Sequence, residues 1–314
     1  MQKIATPILS FCIPTLNNPG HIRKTIESLE KQDTSKVEII VLDEGDNDES
    51  KDIILKSNLN IKYFKRPRSG LDNALIFLTQ KSTGRYIWWF GNDFLLENSL
   101  RKLIKEIESS KGNFYWLNSQ SYLNPSSRSL PDESSYQFKN LDEIFKFDIG
   151  MLGFISSTII DAYHAKKSIE YASKHVGSAF VCLSMVLYVI SRSSEKNFYL
   201  GDSFFITNYE KEPGEVRWYD QYQVFGINLL HIVKDYEHFF EKSSFKKAIS
   251  KNLERVMKAV FVEKARGFST GFASDKVSIK PLFINYWNYF VFWVYLIPFI
   301  LPRKVSRLIY KIFR

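Results

Sequence analysis

The sequence has few cysteines and lacks features that mark several other classes of protein. Of its 314 residues only Cys12 and Cys182 are cysteine, and both lie in apolar runs, which favours buried free thiols in a reducing cytosol over a disulfide. The first residues include Lys3 and then a strand-like segment, without the apolar core of a signal peptide, so we do not expect secretion. No internal repeat or low-complexity tract is present.

The composition is that of a globular protein with an excess of aromatic and basic residues. Hydrophobic residues make up 45% and charged residues 25%, which is ordinary, whereas the aromatic share of 16% is high. The formal net charge of +9 suits nucleic acid, anionic lipid or a diphosphate substrate equally well, so its sign alone selects no partner. The length fits one α/β domain with a C-terminal extension as well as two domains.

The first third of the chain alternates strand and helix patterns. Short apolar runs predict buried strands at residues 8–14, 37–42, 61–64 and 86–90, and helical spacing predicts helices after the Asn18-Pro19 cap and at 71–81. Strands joined without hairpin turns imply a parallel sheet with right-handed crossovers. Ligands bind at the carboxyl ends of such strands, so we expect the chemistry near Pro14, Asp43, residues 66–72 and residues 91–93.

The pattern changes after Asn113. Strands are predicted at residues 114–117 and 154–160, a short helix at 141–147, a buried helix at 179–190, and helices near 219–240 and 245–265, with a polar loop at 124–135. We therefore predict three parts: an α/β domain at residues 1–215, a helical region at 216–280, and an aromatic and basic tail at 281–314.

An acidic loop follows the second predicted strand. It begins at Asp43, the first residue beyond the apolar run, and carries five carboxylates within seven residues. A carboxylate at a strand end can accept hydrogen bonds from a uracil ring and a ribose. The alternative is a solvated turn in which Asp48 or Ser50 caps the next helix.

A second polar turn, Gly91-Asn92-Asp93, follows the apolar strand at residues 86–90. A carboxylate there can reach a metal that bridges two phosphates, since Mg²⁺ and Mn²⁺ prefer hard oxygen ligands and often take only one or two from protein. The alternative is an ordinary turn without a ligand. After the first strand there is no Gly-x-Gly-x-x-Gly turn, which counts against a nucleotide-cofactor oxidoreductase on a similar sheet.

Four motifs in register resemble glycosyltransferase family 2. They are ILSFCIPTLN at residues 8–17, VEIIVLDEGDND at 37–48, GLD at 70–72 and TGRYIWWFGND at 83–93. The spacing from GLD to the last motif is similar to that of the abequosyltransferase-like and rhamnosyltransferase-like enzymes of bacterial surface polysaccharides. The resemblance covers about residues 5 to 105 and implies a GT-A fold, a Rossmann-like α/β domain with a mostly parallel central sheet.

The resemblance also implies roles for individual residues. Pro14 and Thr15 would line the nucleotide, Asp43 would accept from its base, and Asp72 would lie near the ribose or base. Asp93 would hold a divalent metal, Mn²⁺ or Mg²⁺, on the diphosphate. The sequence departs from the family where Gly91 replaces the first Asp of the Asp-x-Asp motif and Asn92 stands where the subgroup commonly has Asp, which leaves one metal-binding carboxylate. We keep Asn92 among the substrate-binding candidates.

The catalytic base and the acceptor site are less defined. Inverting transfer needs a group that takes a proton from the acceptor hydroxyl, and the family's Glu-Asp pair has no counterpart here. The ionisable candidates are Asp161, Glu170 and His175, of which His175 is our first choice. Arg217 and Trp218 could pair with a phosphate and stack on a sugar, or could simply begin a helix with a core Trp.

The C-terminal tail combines an uncharged aromatic stretch with a basic segment. Residues 282–301 contain no charged residue, and residues 303–314 carry five cations and no acid. Dense Tyr and Trp favour the headgroup level, and alternating basic and apolar residues are typical of an interfacial helix on anionic lipid. We predict peripheral, monotopic attachment rather than a span. The alternative is a tail that packs on the protein's own core or on a second subunit.

These observations predict a hexosyl- or deoxyhexosyltransferase on the cytoplasmic face of the cell membrane. It would move a sugar from a nucleotide-diphosphate sugar to a hydroxyl of a lipid-linked saccharide, with inversion, in bacterial surface polysaccharide synthesis. We expect no nucleic-acid partner, and the oligomeric state stays open. The alternative is a degenerate, non-catalytic glycosyltransferase-like scaffold in a polysaccharide-assembly complex.

Overall fold

The computed structural model describes residues 6–121, 134–145, 149–192, 196–207, 222–266 and 279–312. Residues group into two compact units. The first comprises Met1–Leu141, Leu152–Gly177 and Val181–Lys211, and the second comprises Asp142–Met151, Ser178–Phe180 and Glu212–Arg314. The three-part division at residues 215 and 280 stays a prediction.

A nine-stranded sheet forms the centre of the first unit. Its strands are β1 (Leu9–Thr15), β2 (Val37–Asp43), β3 (Ile61–Lys65), β4 (Tyr86–Trp89), β5 (Phe94–Leu95), β6 (Phe114–Ser121), β7 (Tyr136–Gln137), β8 (Thr158–Asp161) and β9 (Asn197–Thr207). The order is β3-β2-β1-β4-β8-β6-β9-β5, and β7 pairs with β9. The strands β1 to β4 are parallel, β8 is antiparallel to both its neighbours, and β6 is parallel to β9. The predicted α/β class and the parallel arrangement of the first four strands are confirmed.

Helices connect these strands and make up most of the described second unit. They are α1 (Pro19–Glu30), α2 (Glu49–Leu55), α3 (Leu71–Lys81), α4 (Ser99–Ser110), α5 (Leu141–Ile144), α6 (Ala162–Ala172), α7 (Val181–Ser191), α8 (Leu229–Lys234), α9 (Lys242–Arg266), α10 (Ile279–Tyr286), α11 (Phe290–Ile300) and α12 (Arg303–Ile312). A π-helical segment, Gln223–Asn228, precedes α8. Among the described residues, no helix combines the length and the apolar character needed to cross a membrane.

Local sequence accounts for the first helices. Asn18 accepts a hydrogen bond from the His21 backbone N at 3.2 Å, and Pro19 occupies the first helical position of α1, as predicted. The predicted helix at residues 71–81 matches α3 at both ends. Both cysteines are buried free thiols, also as predicted, and burial raises the pKa of each to about 12.

The structure differs from the strand predictions most clearly at β9 and at residues 154–160. The strand β9 was missed because Gly201-Asp202, a turn-like dipeptide, divides its apolar residues into two short runs. The sheet accommodates this dipeptide through register shifts in the β6–β9 pairing. The strand predicted at 154–160 is confined to β8, because residues 155–157 form a 3₁₀ turn in which Ser157 Oγ donates to the Phe154 carbonyl at 2.8 Å.

A buried carboxylate joins three strands at the amino edge of the parallel sheet. Glu38, near the start of β2, accepts from Lys62 Nζ at 2.7 Å, from Thr83 Oγ1 and Gly84 N at 2.8 Å each, and from Ser10 Oγ and Thr83 N. A Cβ at Gly84 would lie 2.7 Å from the backbone N of Ser10, so this close approach requires glycine. Thr83 and Gly84 therefore hold the start of β4 against β1 and β2 at the amino edge of the sheet.

We expect Glu38→Gln to lower the free energy of unfolding by about 3 kcal/mol at neutral pH. Burial alone would raise the pKa of Glu38, but hydrogen bonds from Lys62, Ser10 and Thr83 outweigh it and lower the pKa from 4.5 to about 2. Because the folded-state pKa is depressed, this contribution is fully present above pH 4.5 and is lost as the pH falls toward 2. Urea unfolding across this range should show the wild-type and variant curves converging.

Glu108→Gln is the matched control for this measurement. Glu108 pairs with Lys36 at 2.7 Å, but both side chains are about half exposed, so the loss should stay below about 1 kcal/mol. An equal loss in both variants, or a Glu38→Gln effect that does not change with pH, would contradict the role of Glu38.

Candidate functional site

The strand order places two polar turns at one edge of the sheet. β1 lies between β2 and β4, all three are parallel, and the chain reverses its lateral direction between β1 and β4. Thr15 is paired with Asp43, and the backbone N of Phe90 donates to the Cys12 carbonyl at 2.8 Å. The turns that follow β2 and β4 therefore both leave the carboxyl edge, about 10 Å apart across β1. Such a switch point is where ligands bind in open α/β sheets.

Asp43 is fully buried at the end of β2 and holds the loop around itself. Its Oδ1 accepts from the Gly45 backbone N at 2.7 Å, and its Oδ2 accepts from Tyr63 Oη at 2.8 Å and Lys65 Nζ at 3.0 Å. Burial and the contact with Asp43 raise the pKa of Tyr63. A carboxylate has about four acceptor positions, so three donors leave room for one more. The predicted contact with a nucleotide base would have to use that position or replace Lys65.

Asn17 was not identified as a site residue from the sequence, although it contacts the acidic loop. Asn17 and Asp46 join the loops after β1 and β2 through a reciprocal pair of hydrogen bonds, each 2.7 Å long. Glu44 accepts from the backbone N of Ser69 at 3.0 Å and of Gly70 at 3.2 Å, and so fixes the turn that begins α3. The acidic loop thus divides in two: the buried carboxylates of Asp43 and Glu44 accept from backbone N–H groups, whereas Asp46, Asp48 and Glu49 are exposed.

Asp72 lies in the first turn of α3, and its carboxylate faces another turn of the chain. Its Oδ2 accepts from the Gly177 backbone N at 2.8 Å and its Oδ1 from the Val181 backbone N at 3.1 Å. Gly177 has a φ of +90°, which favours glycine. The resemblance implied that Asp72 lies near the ribose or base, whereas both its oxygens contact the segment that connects His175 to α7.

The turn after β4 is fixed on both sides of Asn92. Before it, the Gly91 backbone N donates to Ser156 Oγ at 2.9 Å, and Trp88 Nε1 donates to the Ser156 carbonyl at 2.8 Å. After it, Thr25 Oγ1 donates to the Asp93 carbonyl at 2.8 Å. Asn92 is exposed and Asp93 is buried. Ser156 lies far away in the sequence, so no local pattern could have indicated its contact.

Asp93 suits a metal only if the substrate supplies most of the ligands. In the part of the chain that the structure describes, no three His, Cys, Asp or Glu side chains are grouped to hold an ion. Gly91 and Asn92 beside Asp93 offer no second carboxylate. One carboxylate is compatible with Mg²⁺ or Mn²⁺ held mainly by phosphate oxygens and water.

The remaining candidates differ in position. Pro14 and Thr15 end β1 at the carboxyl edge, and His175 ends the 3₁₀ turn Ser173–His175, two residues before the Gly177 that contacts Asp72. His175 therefore lies in a turn beside the start of α3, which is also at the carboxyl edge.

The other acidic base candidates do not share this position. Asp161 pairs with Tyr86 at the start of β4, caps α6 and contacts His164 Nδ1 at 2.8 Å, so it lies at the amino edge. Glu170 is exposed on α6. Arg217 and Trp218 lie outside the described residues.

Sequence comparisons agree with this arrangement. The model of glycosyl transferase family 2 matches residues 10–163. An uncharacterized glycosyltransferase of Rickettsia typhi is 31% identical over 94 residues, which are 30% of this chain and 30% of that protein. An abequosyltransferase of Salmonella typhimurium is 23% identical over 205 residues, 59% of this chain and 61% of that protein. The GalNAc(5)-diNAcBac-PP-undecaprenol beta-1,3-glucosyltransferase of Campylobacter jejuni is 28% identical over 110 residues, 32% of this chain and 34% of that protein. The matches thus span from about a third to less than two thirds of these relatives.

Solved structures show the same fold. TarS of S. aureus in complex with UDP has a TM-score of 0.62 at 15% identity, over 83% of this chain and 75% of that chain. The complex of TarS with UDP-GlcNAc has a TM-score of 0.61 at 13% identity, over 88% and 78%. The predicted GT-A fold is confirmed.

We expect Asp72→Asn to loosen the turn at residues 177–181 without unfolding the protein. The amide nitrogen would face a backbone N–H in place of an acceptor, so one of the two hydrogen bonds, a partly buried one from Gly177 and a buried one from Val181, would be lost. Hydrogen exchange should show the Gly177 and Val181 amides exchanging roughly tenfold faster or more, since about 1.4 kcal/mol corresponds to tenfold. Glu170→Gln, an exposed change on α6, should leave both amides unchanged. Unaltered protection in Asp72→Asn would exclude this role.

Proposed function

We propose that this chain, whose residues 10–163 match the model of glycosyl transferase family 2, transfers a sugar from a nucleotide-diphosphate sugar to a hydroxyl group. The observation that carries the proposal is the shared edge at which Thr15, Asp43 and Asp93 end their strands or follow them. The fold likeness to TarS in complex with UDP and with UDP-GlcNAc supports a nucleotide-sugar donor.

The donor would lie across the ends of β1, β2 and β4. Pro14 and Thr15 line the nucleotide, and the base donates to Asp43 in place of Lys65, whose side chain is about one third exposed. The diphosphate lies toward Asn92 and Asp93, about 10 Å from Asp43. Asp72, through its contacts with Gly177 and Val181, would fix the rim instead of contacting the ribose.

Transfer with inversion needs three events at this edge. The acceptor oxygen attacks the anomeric carbon, the bond from that carbon to the diphosphate oxygen breaks, and a base takes the hydroxyl proton. His175 is the candidate base because its turn lies beside the start of α3. A bound Mg²⁺ or Mn²⁺ would supply positive charge to the leaving diphosphate. Asp93 would hold the metal. Because Asp93 is buried, the electrostatic attraction between the metal and the diphosphate would be strong there.

The acceptor would be a lipid-linked saccharide in bacterial surface polysaccharide synthesis. The printed names of an abequosyltransferase and of a glucosyltransferase that acts on a PP-undecaprenol-linked saccharide support a saccharide acceptor and a hexosyl or deoxyhexosyl donor. A polyprenyl acceptor stays in the bilayer, so the enzyme would work as a peripheral protein on the anionic cytoplasmic face of the cell membrane. Arg217 and Trp218 stay candidates for the acceptor or diphosphate cleft.

A non-catalytic scaffold is the second candidate function. Gly91 occupies the position of the first Asp in the family's metal motif. Its backbone N donates to Ser156 Oγ at 2.9 Å, so the conformation of this turn does not depend on a second acid. Such a protein would occupy a polysaccharide-assembly complex without turnover.

We expect Asp93→Ala to abolish metal-dependent nucleotide binding. Thermal shift with UDP, other nucleoside diphosphates and nucleotide sugars, with and without Mn²⁺, should show a metal-dependent rise in melting temperature for the wild type only. A ligand at a hundred times its dissociation constant stabilises the folded state by about 2.7 kcal/mol, so the shift is measurable. Asp52→Ala, on the exposed face of α2, should behave as wild type.

Metal-dependent stabilisation that survives Asp93→Ala would refute the role of Asp93. No shift with any nucleotide, together with no donor hydrolysis or transfer by the wild type, would favour the scaffold over the enzyme.

We expect His175→Ala to reduce kcat by about a hundredfold or more while the nucleotide thermal shift stays unchanged, because a general base contributes about 10²–10⁴ to the rate. The pH profile of kcat should also lose its acidic limb. His164→Ala is the control, since His164 contacts Asp161 at the amino edge. An unchanged kcat in His175→Ala would remove His175 from the mechanism.

A further inference from the structure

One face of α11 is apolar and exposed along its whole length. Phe290, Trp293, Val294, Ile297 and Ile300 recur at helical spacing, and their exposed fractions run from 45% at Trp293 to 81% at Phe290. Side chains of this size are rarely so exposed in a continuous row on a soluble protein. We call this row, together with the exposed residues of α10 described next, the apolar face.

The exposed side of α10 continues the apolar face. Phe283, Ile284 and Trp287 are each about half exposed or more. The Phe283 ring lies 5.9 Å from the Trp293 ring, and Trp293 Nε1 donates to the Trp287 carbonyl at 2.7 Å. The indole N–H of Trp293 is thus satisfied within the chain. The two helices therefore present a single aromatic surface.

The opposite sides of these helices are anchored in the second unit. Phe292 is fully buried, and Tyr295 Oη donates to Glu254 Oε1 of α9 at 3.2 Å. Tyr286 is buried and donates to the Gly226 carbonyl. The orientation of the apolar face is therefore fixed by packing, and it is not the chance exposure of a loose terminus.

The segment that carries the apolar face has charges of one sign. Residues 279–314 contain Lys280, Arg303, Lys304, Arg307, Lys311 and Arg314 and no Asp or Glu. In α12, Lys304, Leu308 and Lys311 share an exposed side, while Ser306 is fully buried. An aromatic surface beside cations complements the acyl and headgroup layers of an anionic monolayer. A protein partner or a second copy of this chain would have to supply a face of opposite charge, and the chain itself carries a net +9.

We infer that α10, α11 and α12 form one docking surface for an anionic lipid monolayer, with the apolar face of α11 lying flat among the upper acyl chains. Lys304 and Lys311 of α12 then contact the headgroups. This identifies the residues behind the membrane attachment in the proposed function and rests on it for the choice of lipid as occupant. It also changes the assignment made from sequence: α10 and α11 insert, and α12 contributes mainly charge.

The test uses the full chain and vesicles of phosphatidylcholine with and without phosphatidylglycerol. Wild type should sediment with the anionic vesicles and be released by salt, and brominated lipids should quench Trp287 and Trp293. Phe290→Ser with Ile297→Ser should weaken binding by about a hundredfold, since each buried side chain of this size contributes about 1.5–3 kcal/mol. Lys304→Glu with Lys311→Glu should weaken binding to anionic vesicles by about twentyfold or more and remove most of its salt dependence.

Matched variants separate the surface from general effects. Leu55→Ser makes the same apolar-to-polar substitution on α2, where Leu55 is 67% exposed. Lys102→Glu with Lys105→Glu makes the same charge change on α4. Both controls should bind vesicles as wild type does. All variants should keep the wild-type unfolding transition, because the changed side chains are exposed.

Two results would overturn the inference. One is vesicle binding that is absent in the wild type or equal in all variants. The other is a wild-type dimer in light scattering that Phe290→Ser with Ile297→Ser converts to a monomer, since a second copy would then cover the apolar face. Nucleotide thermal shifts without vesicles should be the same in all these variants. If the wild type docks on vesicles but binds no nucleotide, the docking surface stands and the proposed transfer fails.

Discussion

The parallel pairing of β1 with β2 on one side and with β4 on the other determines most of what the first unit can do. Because Thr15 pairs with Asp43, and Phe90 bonds back to Cys12, two distant segments end at one edge. At the opposite edge, Glu38 ties β1 and β3 to the residues that lead into β4. The three strands are thus held together at both ends, and the separation of the strands sets the distance between the polar turns.

Several carboxylates at the candidate site accept hydrogen bonds from backbone N–H groups of the chain itself. Glu44 and Asp72 each accept two backbone N–H groups, and Asp43 accepts one in addition to two side chains. Loops with little regular structure need such acceptors because a buried N–H without a partner costs about 1–3 kcal/mol. Asp93 follows β4 and is buried, and neither Gly91 nor Asn92 beside it supplies a second carboxylate.

The sequence predicted the first half of the fold well because its signals are local. Apolar runs identified β1 to β4, and the Asn18-Pro19 cap identified the start of α1. Contacts between distant residues were not predictable: Ser156 holding Gly91, Asp72 reaching Gly177, and β9 adding to the sheet despite Gly201-Asp202. The base is hard to assign for the same reason, since its position depends on how the 173–177 turn meets α3 and on no spacing along the chain.

The composition of α10, α11 and α12 limits how their binding to a membrane surface can be regulated. Residues 279–314 contain no His, Asp or Glu, and every charged side chain among them is a cation. The titratable groups that contact these helices belong to other elements: His231 of α8 lies 3.2 Å from Asn285, and Glu254 of α9 accepts from Tyr295 Oη. Release from a surface would therefore depend on a fall in anionic lipid content, on ionic strength, or on covalent neutralisation of lysines such as Lys304.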